Sequence, residues 1–507
     1  MRGHGLAKLK RLVVGVVPLL ALVVGACSTV QDALDDASVK ESHKVQSSYL
    51  PAETREPVTF EGAQANDPQS SIGRSQHPKI LAAYGGAYSN PKLEQTLAGI
   101  VGRLNAVGDD PNRAYRITVL NSPNVNAFAL PGGYLYVTRG LLALATDSSE
   151  VAAVLAHEMG HVTANHGIER QQREAAAELA GRVVAEVLSS ETAGRAALAR
   201  GQLSLASFSR NQELQADALG IAQIGRAGYD PYASARFLEA MDAYSKIRNA
   251  FQADNPDLDF LATHPQTPQR IQLARQHARK IGPEGTGRRD RDRFLQGIDG
   301  MLFGDSAAEG YVRGSRFYHP GLGITFAVPN DFVIDNTAEA VLATGPDDTA
   351  IRFDGVSVPR STSLTDYIES GWIGGLDRDS VREEKVGNLD AVSARASGGN
   401  YVFDVTVVRV GSQVYRFLTA LPAAKADQLG GIAGQVSQSF RLLSPQEKDA
   451  LKPLRIRVVK AGAQDTVETM AGKMFGVDRE LEMFRLLNGL DVNDPVKAGE
   501  LYKIVAE

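Results

Sequence analysis

The sequence predicts a multidomain α+β chain: a mainly helical unit with a small sheet, a small α/β sandwich-like unit, and a closing βααβ unit. Three observations point there. A length of 507 residues suits about three domains and a leader. Helical apolar periodicity dominates between Gly73 and Gly300, whereas period-two alternation dominates from Gly323 to Leu421. The stretch from Arg455 to Val505 reads as a strand, helical patterns and a second strand.

The amino terminus comes first. Arg2, Lys8, Lys10 and Arg11 form a positive region, and Leu12 to Val24 is apolar but interrupted by Pro18. That stretch is shorter than the roughly 20 residues a spanning helix needs. It ends in Val24-Gly25-Ala26-Cys27, which resembles the lipobox of bacterial lipoproteins. Residues 1–26 are therefore read as a lipoprotein signal peptide. Cys27, the one cysteine, becomes the lipidated first residue of the mature chain. By resemblance to Gram-negative sorting rules, Ser28 in the next place suggests the outer membrane. Residues 27–72 read as a polar tether.

Residues 73–300 carry the chemistry. Tyr115 to Leu120 reads as a strand. Asn126-Ala127-Phe128-Ala129-Leu130-Pro131-Gly132-Gly133 reads as another that ends in a tight turn, with Tyr134 to Val137 returning. Pro131 cannot donate to a ladder, which argues for a sheet edge. An exposed edge can take up a peptide as an extra strand; a plain hairpin in an α+β core is the alternative.

Ser148 and Ser149 are N-cap candidates, and Glu150 suits a first helical turn. The apolar run Val151 to Ala156 then leads into His157-Glu158-Met159-Gly160-His161. One helical turn separates the two histidines, so both imidazoles project from one face. Polar groups on so apolar a helix need a partner. Zinc suits the spacing: it lowers the pKa of a bound water to about 7, and Glu158 can take up the proton. A catalytic zinc usually has three protein ligands. Asn211-Gln212-Glu213-Leu214-Gln215-Ala216-Asp217 offers the third, because Glu213 and Asp217 share a helix face. Glu213 can complete a two-His, one-Glu site. Asp217 can accept a hydrogen bond from a ligand histidine and fix its tautomer. Ala216 and Gly220 keep that face slim enough for close helix packing.

His166 lies off the ligand face and reads as structural or as a group behind the ligands, not as a ligand. Gln171 to Leu205, rich in Ala, Glu and Arg, reads as packing between helices. Thr263-His264-Pro265 puts a histidine in an extended or turn segment, and Pro268 can open a helix that carries Arg270. Gly282 to Arg293 reads as the exit from this unit. The basic residues from Arg270 to Arg293 read as a solvated helix and linker.

HEMGH followed by ELQAD resembles the zinc endopeptidases that include the CAAX prenyl proteases, the HtpX heat-shock proteases and the BepA-type periplasmic proteases. Matches run from about Gln76 to Ile271 and include QHPKILAAYGGAY, NAFALPGGYLYVTRGLL from Asn126 and THPQTPQRI from Thr263. The resemblance implies a gluzincin-like fold and one Zn2+ per chain, held by His157, His161 and Glu213. It makes Glu158 the general base, sets Asp217 and Arg270 behind the ligands, and makes Asn126, Ala127 and Phe128 the substrate edge. It puts His264 over the zinc, either as a catalytic oxyanion donor or as a ligand in a latent state. The prenyl and heat-shock proteases span the membrane several times. No other apolar run here is long enough for that, which favours the exported lipoprotein branch.

Residues 315–445 form the β-rich unit. Strands are expected at Gly323 to Pro329, Tyr401 to Arg409 and Tyr415 to Leu421, with a helix from Ala423 to Phe440. The pattern loosely resembles the PsbP and Mog1 sandwich. Trp372 reads as core. Residues 453–507 resemble a LysM module, with AGAQDTV standing where the usual turn is shorter; that likeness implies binding of peptidoglycan.

Together these readings give a lipid-anchored zinc endopeptidase of the bacterial envelope, facing the periplasm. Its substrates would be extended or misfolded envelope proteins. The alternatives are a latent protease acting mainly as a chaperone or assembly factor, or a scaffold recruited to the cell wall. A net charge of −5 and no global basic patch give nucleic-acid binding no support.

Overall fold

The computed structural model describes residues 58–60, 70–169, 210–249, 264, 268–337, 340–477 and 479–507. The leader, Cys27, most of the tether and the Gln171–Leu205 segment lie outside the described residues. No described helix is long and apolar enough to cross a membrane.

The first sheet has the order β1-β2-β4-β3. Its strands are β1 (Val58–Phe60), β2 (Tyr115–Leu120), β3 (Ala127–Leu130) and β4 (Tyr134–Thr138). β2 and β4 run parallel, and β3 returns antiparallel on β4, with Ala127 opposite Val137 and Leu130 opposite Tyr134. The hairpin turns on Gly132 and Gly133, both at positive φ. A side chain at Gly133 would meet the Ala114 carbonyl at 2.1 Å, so glycine is the residue that lets β4 pass this close. β3 is the sheet edge, as Pro131 implies.

The described helices of this part of the chain include α1 (Ser70–Ala83), α2 (Pro91–Ala106), α3 (Arg139–Leu144), α4 (Ser148–Thr163), α5 (residues 210–226), α6 (Ala233–Asn249), α7 (Pro268–Ile281) and α8 (Arg291–Ile298). α4 is buried almost throughout. Its N-cap is neither Ser148 nor Ser149. Asp147 takes that role, accepting from the backbone N–H of Ser149 and Glu150. A carboxylate at the positive end of the helix dipole is the better acceptor, and the serines become the first helical residues.

That helix start is a buried ionic knot. Glu150 accepts from the backbone and hydroxyl of Thr146, both at 2.8 Å. Arg236 on α6 reaches Asp230 at 2.7 Å, Glu150 at 3.4 Å and Asp147 at 3.6 Å. Arg289 adds a contact to Asp147 at 2.6 Å. The stretch from Gly282 to Arg293 is therefore no exit. Arg288 exchanges backbone bonds with Gly228 and Asp230, and α8 folds back onto α2. Most basic residues from Arg270 to Arg293 are exposed, as expected, but Arg270 itself is buried. Asp217 and Glu213 hold it in, and sequence spacing cannot show such distant partners.

Two antiparallel sheets follow. One has seven described strands between Val333 and Pro422; the other combines Tyr311–Arg313, Arg316–His319, Ile324–Ala327 and Arg441–Leu442. The long ladder Tyr401–Val410 against Gln413–Pro422 matches the alternation in the sequence. The helix expected from Ala423 starts later, at Leu429, and ends at Gln438; a 3-10 turn at Ala423–Lys425 precedes it. Trp372 packs partly buried against one of the two cores here and stacks on Tyr367.

The last unit pairs Arg455–Lys460 with Leu501–Ala506, antiparallel, around helices Val467–Ala471 and Glu480–Asn488. Its apolar side chains, Ile456, Phe484, Leu487 and Val505 among them, belong to the same continuous core as α2 and α4.

Arg236 serves three buried carboxylates, so Arg236→Met strands them. We expect a loss of about 3–5 kcal/mol, read as a shift in the urea unfolding curve. A loss below about 1 kcal/mol would show that the knot contributes little.

Candidate metal centre

α4 and α5 approach until their backbones touch. A Cβ at Gly220 would meet the His157 amide nitrogen at 2.9 Å, and one at Gly160 would meet the Ala216 carbonyl at 3.2 Å. The slim face expected at Ala216 and Gly220 is thus the contact surface. It places Glu213 and Asp217 directly across from His157 and His161.

Five donor-to-donor distances describe the centre. His157 Nε2 lies 3.0 Å from His161 Nε2 and 3.3 Å from Glu213 Oε2. His161 Nε2 lies 3.3 Å from Glu213 Oε1. His264 Nδ1 lies 3.3 Å from His157 Nε2 and 3.0 Å from Glu213 Oε1. Among the described residues, this is the group of four that could hold a metal ion. A tetrahedral ion with bonds of about 2.0–2.1 Å has ligand–ligand edges of about 3.3 Å. The five distances, from 3.0 to 3.3 Å, suit that frame. Facing imidazole lone pairs at such distances cannot all satisfy one another, whereas one cation can satisfy all of them.

The surrounding groups aim the ligands. Asp217 Oδ1 sits 2.9 Å from His157 Nδ1, so Nδ1–H donates outward and the Nε2 lone pair points inward. His166 Nδ1 lies 2.9 Å from His161 Nδ1, and its Nε2 lies 3.2 Å from Gln215 Oε1. His166 is therefore no ligand but stands behind one, within the roles expected of it. Arg270 donates to Asp217 through Nε at 2.7 Å and a terminal nitrogen at 2.8 Å, and reaches Glu213 Oε2 at 2.9 Å. It clamps both carboxylates of α5 at once. Its place behind the ligands was expected, but its double contact was not legible, nor was the part played by Gln215.

Electrostatics follow from burial. Burial disfavours an imidazolium at His157, yet the Asp217 and Glu213 carboxylates outweigh that and push its pKa up to about 10. At His161, burial and two neighbouring imidazoles push it down to about 3, against the pull of Glu213. Burial would raise Asp217, but Arg270 and His157 bring it down to about 2. Glu213 is likewise held well below its usual range by His264, His157 and His161, against burial. Glu158 moves the other way. Burial raises it, opposed by His264 and His157. A raised carboxylate is a stronger base than an ordinary one. Its Oε1 is buried without a hydrogen bond and lies 3.5 Å from His264 Nε2.

The strand expected at a sheet edge lies there. β3 packs on α4. The side chains of its first residues are committed elsewhere: Ala127 faces the core, Asn126 donates to the Tyr84 hydroxyl at 3.1 Å, and Phe128 stacks on Tyr136. What the edge offers is backbone.

Residues 89–278 match the model of peptidase family M48. The matched segment encloses all four convergent donors, and the likeness is that of a zinc metallopeptidase. The chain is similar to the beta-barrel assembly-enhancing protease of Yersinia pestis, at 32% identity over 39% of this chain and 41% of the relative. The protein of the same description from Escherichia coli is 30% identical over 38% and 41%. The mitochondrial metalloendopeptidase OMA1 of Saccharomyces cerevisiae is 29% identical over 50% of this chain and 72% of the relative. The chain spans less than half the length of these two bacterial relatives. A solved structure of cyanobacterial PsbP from Synechocystis aligns with 27% of this chain and 98% of that one, at 14% identity and a TM-score of 0.21. That score is too low to argue from.

Asp217→Asn removes the charge behind His157 and keeps the shape. Zinc affinity, measured by chelator competition, should fall about 10–100-fold. Unchanged affinity would mean that Asp217 does not tune the ligand.

Proposed function

We propose that the chain is an endopeptidase that hydrolyses extended or misfolded envelope proteins. The observation that carries this is the convergence of His157, His161 and Glu213 beside a buried Glu158. Zinc supplies a polarised carbonyl and a water of lowered pKa. The remaining work falls to the protein. Asp217, His166 and Arg270 hold the ligand side chains in their orientations. Glu158, with its raised pKa, accepts the proton of the attacking water and returns it to the leaving nitrogen. β3 adds the substrate as a further strand through the backbone of Asn126, Ala127 and Phe128. The recess beside His161, lined by Leu130, Pro131, Val162 and Ile168, takes an apolar side chain of that strand. Folded proteins offer no free backbone to such an edge and should resist.

The same reading includes a lipid anchor at Cys27, placement at the outer membrane facing the periplasm, and the unit boundaries at 73–300, 315–445 and 453–507. It also includes a LysM-like binding role for the last unit toward peptidoglycan. A palmitate label absent from the wild type would remove the anchor.

One observation favours a second reading, that of a latent protease acting chiefly as a chaperone or assembly factor. His264 Nδ1 stands at the fourth vertex of the metal frame, where an open catalytic zinc keeps its water. We take His264 as a latch rather than an oxyanion donor. His264→Ala should then raise casein cleavage several-fold, whereas a drop in turnover would restore the oxyanion role. Glu158→Gln should keep zinc and lose about 10²–10⁴-fold in turnover. Envelope defects that the Glu158→Gln chain still corrects would assign the biological role to assembly instead of cleavage.

A further inference from the structure

The last unit reaches into the peptidase core with a charge. Lys503 lies on the final strand, is fully buried, and sits 360 residues after its first partner. Its ammonium donates to the carbonyls of Ala143 at 2.6 Å, Ala145 at 2.7 Å and Leu144 at 3.3 Å. These are the end of α3 and the residue after it, whose carbonyls have no partner within their own helix. Three N–H groups meet three acceptors, which a lysine provides only as an ammonium. A cation is also favoured at the negative end of a helix dipole. Burial pushes Lys503 down to about 7, opposed by Glu150 and Asp147 and reinforced by Arg291.

The contact is built from both sides. Asn488 fixes the strand at this residue, accepting from Lys503 N–H at 2.7 Å and donating to its carbonyl at 2.9 Å. Gly489 follows at positive φ, and a Cβ there would meet the Thr146 methyl at 3.0 Å. Thr146 in turn donates to Glu150, one residue before the Asp147 cap. The last unit therefore touches Ala143 through Thr146, the whole junction between α3 and the metal-bearing α4.

We propose that the C-terminal unit is an intramolecular clamp on the zinc helix, with Lys503 as its positioning residue. α4 is a lever. His157 stands about 14 Å along the axis from Ser148, so a tilt of about 4° at the junction moves the ligand by about 1 Å. Displacements of that size cost turnover much more than binding. This role rests on the zinc site described above. It differs from a peripheral binding module, whose loss would leave the site unchanged.

The test uses the full chain. Lys503→Met keeps the apolar stem and removes the three donors. Circular dichroism checks folding, and Val492→Ser, at an exposed position of the same unit, is the control. Two quantities are read: kcat and KM on casein, and the visible absorption bands of the cobalt-substituted protein, which report ligand geometry. The clamp predicts a fall in kcat of about tenfold or more, a KM within about twofold, and shifted cobalt bands. Folded Lys503→Met with wild-type kcat and unshifted bands overturns it. If that variant does not fold, Gly489→Ala presses on Thr146 from the other side and is judged by the same bands. Absence of cleavage by the wild type would overturn the endopeptidase reading, while the cobalt bands would still decide the clamp.

Discussion

The centre depends on how closely two helix backbones can approach. Gly160 against Ala216 and Gly220 against His157 let α4 and α5 meet without side chains between them. Only at that separation can short carboxylate side chains from α5 reach imidazoles on α4, one pair at the metal position and one pair behind it. Any side chain larger than hydrogen at position 220 forces the helices apart at the first ligand itself. The site's geometry is therefore a packing outcome before it is an electrostatic one.

Charge then stabilises what packing arranges. Arg270 grips Glu213 and Asp217 together, so the two acids of α5 are neutralised in part by a residue of α7. His264 precedes α7 by a few residues and stands among the ligands, and its backbone carbonyl lies 3.4 Å from Arg270. The fourth donor and the guanidinium that braces the third are thus mechanically joined.

Much of this was legible in the sequence for a physical reason. Residues one helical turn apart share a face, so HEMGH and Glu213–Asp217 announce their geometry locally. A glycine pair after a proline announces a hairpin and an edge. What the sequence hid was long-range. Asp147 outcompetes two serines as the cap because Arg236 and Arg289 stabilise its charge, and neither arginine is near it in sequence. The burial of Arg270, at the head of a basic stretch that is otherwise largely exposed, was hidden for the same reason. His166 was placed off the ligand face correctly, but its contact with His161 needed the turn at Asn165, which has a positive φ. The helix after Tyr401–Pro422 was expected too early, because an Ala-rich start does not distinguish a 3-10 turn from an α-helix.

The anchoring of Lys503 on Ala143 through Ala145 carries a consequence for biogenesis. A chain emerging amino end first exposes its metal-ligating histidines long before the strand that braces their helix exists. During that interval the carbonyls at the α3 end are served by water, and the shared core lacks Phe484, Leu487 and Val505. If Lys503 clamps α4 as proposed, nascent molecules pass through a stage in which the candidate ligands are present but their helix is not yet braced.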